Sequence, residues 1–245
     1  MTILALDSSG LVASAAILTD FQLRAEYSVN YKKTHSQTLL PMIQEIMEMT
    51  ETDMEDVDAI ALASGPGSFT GLRIGSATAK GLGLATGKPL IPVPTLEGLA
   101  YQYYGTDWQV CPVMDARRSQ VYTGLYEFAE GFQVQMEQTV ISVEELLNHV
   151  NETGKKTLFL GDGTLRYKKE MEELVGVPYQ LAPPHRNQQS AAAVAVRAAE
   201  LWAAGVRVTA DTFVPEYLRL SQAERERKEK LEKEGEQRSD YAETV

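Results

Sequence analysis

The stretch that most constrains this chain runs from Ala59 to Gly87. Ala59-Ile60-Ala61-Leu62-Ala63 is a continuous apolar run, which suits a short strand buried on both faces. Ser64-Gly65-Pro66-Gly67-Ser68-Phe69-Thr70-Gly71 then breaks the pattern with turn formers, and Ser68 or Thr70 can cap a following helix. Along that helix Gly67, Gly71, Gly75, Ala79, Gly83 and Gly87 recur at every fourth residue. Glycine costs a helix interior up to about 1 kcal/mol relative to alanine, so propensity does not explain the stripe. A face without side chains lets another backbone come close. Three uses stay open: tight packing on the chain's own sheet, a cradle for phosphate at the helix start, or a face for another protein's helix. The cradle fits least well, because no Gly-Lys-Ser/Thr follows and Gly65–Thr70 lacks the last glycine of GxGxxG. The rest of the chain favours the docking face, with Gly75 at its middle.

Bulk composition narrows the class. At 245 residues the chain can bury a full core in two lobes or one large domain. A net charge of −11 disfavours strong nucleic-acid binding by the chain alone. The single cysteine, Cys111, rules out an internal disulfide and fits a reducing compartment. No apolar run nears the roughly 20 residues that span a bilayer. Met1–Asp7 reads as a first strand rather than a signal segment, so a cytoplasmic protein with no membrane association is expected.

Read in order, Ile3–Leu6 is a buried strand ending in the polar turn Asp7-Ser8-Ser9-Gly10. Leu11–Ile17 and Leu23–Val29 alternate with period two, completing a meander. Thr34 or Ser36 can cap a helix carrying Leu39, Ile43, Ile46 and Met47, with Leu40 and Met42 widening its apolar surface. The glycine helix, a strand at Leu90–Val93 and a helix from Thr95 towards Tyr104 close a first lobe, residues 1–105. From Trp108 the pattern restarts. Strands at Gln109–Met114, Val121–Phe128 and Gln133–Val140 precede a helix at Val143–Val150, a strand at Thr157–Leu160 and a helix at Thr164–Val175. A last helix, Ser190–Ala204, belongs to this second lobe of residues 106–220. The tail, 221–245, holds six Lys or Arg and eight Asp or Glu and reads as a solvated, frayed helix.

Two lobes, each opening with a strand–turn–strand whose first turn is expected to be acidic and glycine-bearing, resemble the actin/sugar-kinase/heat-shock superfamily. The implied class is α/β: a two-lobed actin-like ATPase, ribonuclease H-like fold with duplicated β-β-β-α-β-α lobes. Asp7-Ser8-Ser9, His35-Ser36-x-x-Leu39-x-Pro41, the block Ser64–Gly75 and Pro215-x-Tyr217-Leu218-Arg219 resemble one branch, the TsaB (YeaZ) family. The likeness spans Met1 to about Leu220. It implies a non-catalytic partner in forming N6-threonylcarbamoyladenosine beside the anticodon of tRNAs that read codons beginning with A. The implied partners are the catalytic subunit TsaD and the ATPase TsaE, with tRNA met only through the complex, and a homodimer when the chain is alone. The expected docking face comprises His35, Ser36, Leu39, Leu40, Ile43 and Met47 with Gly71, Leu72, Gly75, Ala79, Leu82 and Gly83. An exposed apolar patch of that kind would pair with a second copy in the absence of its partner.

No metal or cofactor is expected. TsaD carries a metal-binding His-x-x-x-His on the helix matching this one, whereas here Leu39 follows His35 at i+4 and cannot ligate. His149 and His185 lie far off in sequence. Asp7, Ser8, Ser9, Gly10, Gly161, Asp162 and Gly163 stand where relatives hold phosphate and adenosine; either a weak nucleotide site survives there or both are inherited structural turns. The alternative function is an ATP-dependent kinase or phosphotransferase that uses Asp7 to organise a metal.

Overall fold

The structure, a computed structural model, describes residues 1–219. The charged tail therefore lies outside the described residues.

Two five-stranded sheets share one topology. In the first, β1 (Thr2–Asp7), β2 (Ala13–Thr19) and β3 (Gln22–Val29) form the meander, and β4 (Ala59–Ala63) and β5 (Leu90–Val93) add in parallel, giving the order β3-β2-β1-β4-β5. In the second, β6 (Gln109–Asp115), β7 (Gln120–Glu127) and β8 (Gln133–Ser142) repeat the meander. β9 (Thr157–Leu160) and a short β10 (Tyr179–Leu181) complete the order β10-β9-β6-β7-β8. The duplication is thus carried through to strand order. β10 is too short to have declared itself by alternation.

Each sheet is covered on both faces. The even residues of β1, Leu4 and Leu6, meet α1 (His35–Met49) and α2 (Phe69–Thr86), while the odd residues Ile3 and Ala5 meet α7 (Ala191–Ala203). That two-sided burial is why β1 and β4 read as unbroken apolar runs. α4 (Val143–Thr153) and α6 (Lys168–Leu174) cover the outer face of the second sheet. α3 (Thr95–Ala100) lies against the inner face with Leu96 and Leu99, so α3 and α7 form the layer between the sheets. The helix expected over Thr164–Val175 is broken at Tyr167 into α5 (Gly163–Arg166) and α6. The helix from Thr95 closes in a 3-10 turn at Tyr101–Tyr103.

α7 is late in sequence but early in space. Ala191, Val194, Ala195 and Ala198 pack on the first sheet, and Ala210 and Phe213 join the core beneath α1 and α2. A division at residue 105 separates the two sheets, yet the first lobe is completed by residues beyond 190. Periodicity can locate such a helix but not the sheet it covers.

Two expectations about α1 and α2 are reversed. Leu39 and Ile43 are buried in the first-lobe core, and Met47 is half-buried against it; of the four expected patch residues only Leu40 is exposed, at 56%. On α2, Gly71, Leu72, Gly75, Ala79 and Gly83 are buried and Leu82 packs against the same core. A Cβ on Gly71 would overlap the Ser8 carbonyl, one on Gly75 the Ser8 hydroxyl, and one on Gly83 would crowd Ala210 and Leu90. The stripe therefore lets α2 lie directly on the β1–β2 turn of its own lobe. Gly81, outside the stripe, faces open space.

Candidate functional site

The turn after β1 is enclosed by the glycine block. Asp7 is buried, and its Oδ1 accepts from the Ser9 N–H at 2.8 Å and the Ser9 hydroxyl at 2.6 Å. The Ser8 hydroxyl donates to the Gly71 carbonyl at 2.9 Å, and the Ser68 N–H donates to the Ser9 carbonyl at 2.7 Å. His35 Nε2 lies 2.9 Å from the Gly10 carbonyl; since a carbonyl only accepts, that nitrogen carries the hydrogen. Burial raises the Asp7 pKa from 3.8 to about 6, against the lowering effect of both Ser9 hydrogen bonds and of His35.

The matching turn after β6 uses the same device. The Arg117 N–H donates to Asp115 Oδ1 at 2.8 Å, as Ser9 does to Asp7. Here the carboxylate is held further by the Tyr167 hydroxyl at 2.8 Å and by Arg166 at 3.3 Å. This second turn has no glycine, and Arg117, Arg118 and Ser119 take φ of +63°, +55° and +56°. Gly161-Asp162-Gly163 sits at the end of β9 for packing reasons. A Cβ on Gly161 or Gly163 would overlap the Val113 carbonyl, and Gly161 has φ of +103°. Asp162 Oδ1 accepts from the Asp115 N–H at 3.2 Å, and its pKa is raised by burial.

Sequence patterning missed what fills the space between these turns. The segment before α7 presses the Gln189 side chain against Gly10. Asn187 Oδ1 accepts from the Gly161 N–H at 2.8 Å, and its Nδ2 donates to the Thr164 hydroxyl at 3.2 Å. Both side chains are buried. Isolated amides carry no periodic signal. A cleft of about 540 Å³ lies to one side, between β3 and this segment, lined by Glu26, Asn30, Gln102, His185, Arg186 and Gln188 among others. It includes neither Asp7, Ser8 nor Ser9.

The structure brings Asp7, Ser8, Ser9, Gly10 and His35 together with the buried stripe. It does not bring Ser36 and Leu40 to that turn; both are exposed on the outer face of α1. Beside α1 lies the outer face of α2, with Thr70, Arg73, Ala77, Gly81, Leu84 and Ala85 exposed. Leu84 is 65% exposed and Met49, at the end of α1, 77%. Among the described residues no cluster of three His, Cys, Asp or Glu is placed to hold a metal ion. No described helix is long and apolar enough to cross a membrane.

Duplicated five-stranded sheets of one strand order, each with a carboxylate-held turn after its first strand at Asp7 or Asp115, give the chain a two-lobed, actin-like fold. Component A of the (R)-2-hydroxyglutaryl-CoA dehydratase of Acidaminococcus fermentans shares this fold, with a TM-score of 0.50, 12% identity and coverage of 83% and 99% of the two chains. A family model described as TsaD, tRNA N6-adenosine threonylcarbamoyltransferase, matches residues 23–227. The tRNA threonylcarbamoyladenosine biosynthesis protein TsaB of Bacillus subtilis is 35% identical over 226 residues, 91% of this chain and 96% of that protein. YeaZ from Pseudomonas aeruginosa superposes with a TM-score of 0.77 at 28% identity, covering 89% of this chain and 99% of that one. The chain belongs to the TsaB (YeaZ) family of tRNA threonylcarbamoyladenosine biosynthesis proteins.

Proposed function

We propose that the chain is a non-catalytic subunit that docks on the threonylcarbamoyltransferase TsaD, with the ATPase TsaE, in forming N6-threonylcarbamoyladenosine in tRNA. The observation that carries the non-catalytic reading is the filled space between the lobes. The Ser8 hydroxyl and the Ser9 and Gly10 carbonyls are engaged by the glycine block and His35, and Gln189 and Asn187 stand against Gly10 and Gly161. With Asp7 turned inward onto Ser9 and the Gln189 side chain against Gly10, no phosphoryl-transfer step is assigned to Asp7.

The docking face is the outer side of α1 and α2 rather than the buried stripe. Ser36 and Leu40 on α1, with Ala77, Gly81 and Leu84 on α2, offer exposed apolar bulk beside small residues, which suits close helix–helix packing. The match of the TsaD family model supports a partner of related fold, able to present the same helix pair in return, and a second copy of this chain could do so by two-fold symmetry. The deciding experiment measures threonylcarbamoyladenosine in tRNA with TsaD, TsaE and threonylcarbamoyl-AMP, with and without this chain. Modification should depend on the chain, while the chain alone turns over no ATP. Equal modification in its absence would sink the proposal.

A further inference from the structure

Four arginines of this acidic chain, Arg73, Arg117, Arg118 and Arg219, are linked in space beside the proposed docking face. Arg73, exposed on α2, lies 4.0 Å above the Phe69 ring, and Phe69 packs on Tyr217 with centroids 4.8 Å apart. Two residues further, the Arg219 guanidinium donates to the Ala116 carbonyl. Arg117 and Arg118 follow immediately at the β6–β7 turn, both exposed. A continuous strip Arg73–Phe69–Tyr217–Arg219–Arg117–Arg118 thus crosses from one lobe to the other. Carboxylates along it are already engaged: Asp115 by Arg166 and Tyr167, and Glu216 by Gln138 Nε2 at 2.6 Å. Arg73, Arg117 and Arg118 have no ion-pair partner among the described residues.

We infer that this strip binds the phosphate backbone of RNA, the tRNA of the proposed complex being its substrate. Guanidinium groups suit phosphate oxygens, with which they form paired charge-assisted hydrogen bonds. The aromatic backing stiffens Arg73 and offers ring area beside the charges. Left-handed backbone at Arg117 and Arg118 is set by the Asp115 hydrogen bond and the hairpin, so both residues are held at the tip of the turn. A net charge of −11 confines the attraction to this strip and keeps the isolated chain a weak binder. The contact matters when a partner already holds the RNA. This inference rests on the functional reading above.

The test titrates an unmodified tRNA transcript against the assembled complex of this chain and TsaD, following affinity as salt is raised. Each lost phosphate contact lowers the slope of log K against log salt by about 0.7–0.9. Arg117→Gln/Arg118→Gln should lower the slope by about 1.5 and weaken binding several-fold at moderate salt, while Arg117→Lys/Arg118→Lys keeps most of the slope. Complex assembly, followed by ultracentrifugation, should be unchanged by either pair. An unchanged slope overturns the proposal. So does loss of assembly in the glutamine pair, which would assign the strip to an acidic protein surface instead. If the wild-type proteins do not associate at all, the functional reading falls, and the same titration on the full chain alone still decides the strip.

Discussion

At the residue scale, Asp7 and Gly75 show how the glycine block spends its interactions. Asp7 keeps its proton in the folded chain up to pH about 6, whereas an unfolded aspartate titrates near 3.8. Its contribution to stability is therefore complete below pH about 4 and lost as pH rises through about 6. The buried carboxylate then opposes folding by about 3 kcal/mol. Asp7→Asn keeps an acceptor for Ser9 and removes the charge. Its stability relative to wild type should improve between pH 4 and pH 7.5 by about 2–3 kcal/mol, read from denaturant unfolding at both pH values. A difference that stays flat with pH would show that Asp7 ionises freely. At Gly75 a larger side chain meets the Ser8 hydroxyl, which already donates to Gly71. Gly75→Leu should cost about 3 kcal/mol or more by overpacking and lower the melting temperature by several degrees.

At the element scale, α2 divides its small residues between two opposed tasks. Gly67, Gly71 and Gly75 bring the start of the helix onto the β1–β2 turn and Gly83 seats its end on Ala210 and Leu90, while Ala77, Gly81 and Ala85 leave its outer surface shallow. Gly81→Leu places a side chain in open space and replaces a poor helix former, gaining several tenths of a kcal/mol. Its melting temperature should hold or rise, yet co-purification with TsaD and tRNA modification should be lost. A Gly81→Leu protein that binds TsaD with native affinity would move the docking face off α2. On α1, Leu40→Asp puts a charge on the same face without touching the core, and a similar loss of assembly at native stability is expected. The contrast with Gly75→Leu separates the inner and outer faces of one helix.

At the scale of the whole molecule, the layer of α3 and α7 joins the sheets, and Arg197 is its bolt. The guanidinium on α7 donates to Glu97 of α3 at 2.6 Å and to Glu200 at 3.2 Å, and lies 4.4 Å above the Phe132 ring of the β7–β8 hairpin. The Tyr101 hydroxyl donates to the same Glu200. Burial raises the Glu97 pKa although Arg197 stands beside it, so the carboxylate depends on its partner to remain charged. Arg197→Met should cost about 3 kcal/mol by leaving that group uncompensated, and thermal unfolding should separate into two steps as the lobes uncouple. A single transition at the wild-type temperature would contradict this role.

The class, the strand order within each meander and the repeat of the pattern were legible in the residues alone. Alternation and unbroken apolar runs report directly on which faces are buried, as at β1, β4 and β9. The motifs at Asp7, His35, Ser64–Gly75 and Pro215–Arg219 likewise pointed to the family. The side to which each helix turns was not legible. A stripe of glycines states that something comes close, but Ser8 and a partner's helix leave the same mark in sequence, and only the position of the β1–β2 turn separates them. Leu39 and Leu40 are adjacent leucines of equal hydrophobicity; one is core and one is surface because the helix axis lies where the sheet puts it. The placement of Asn187 and Gln189 against the two turns belongs to the same class of fact. It depends on bringing Gln189 to Gly10 across more than 170 positions and Asn187 to Gly161 across 26, contacts made by tertiary packing and recorded in no local pattern.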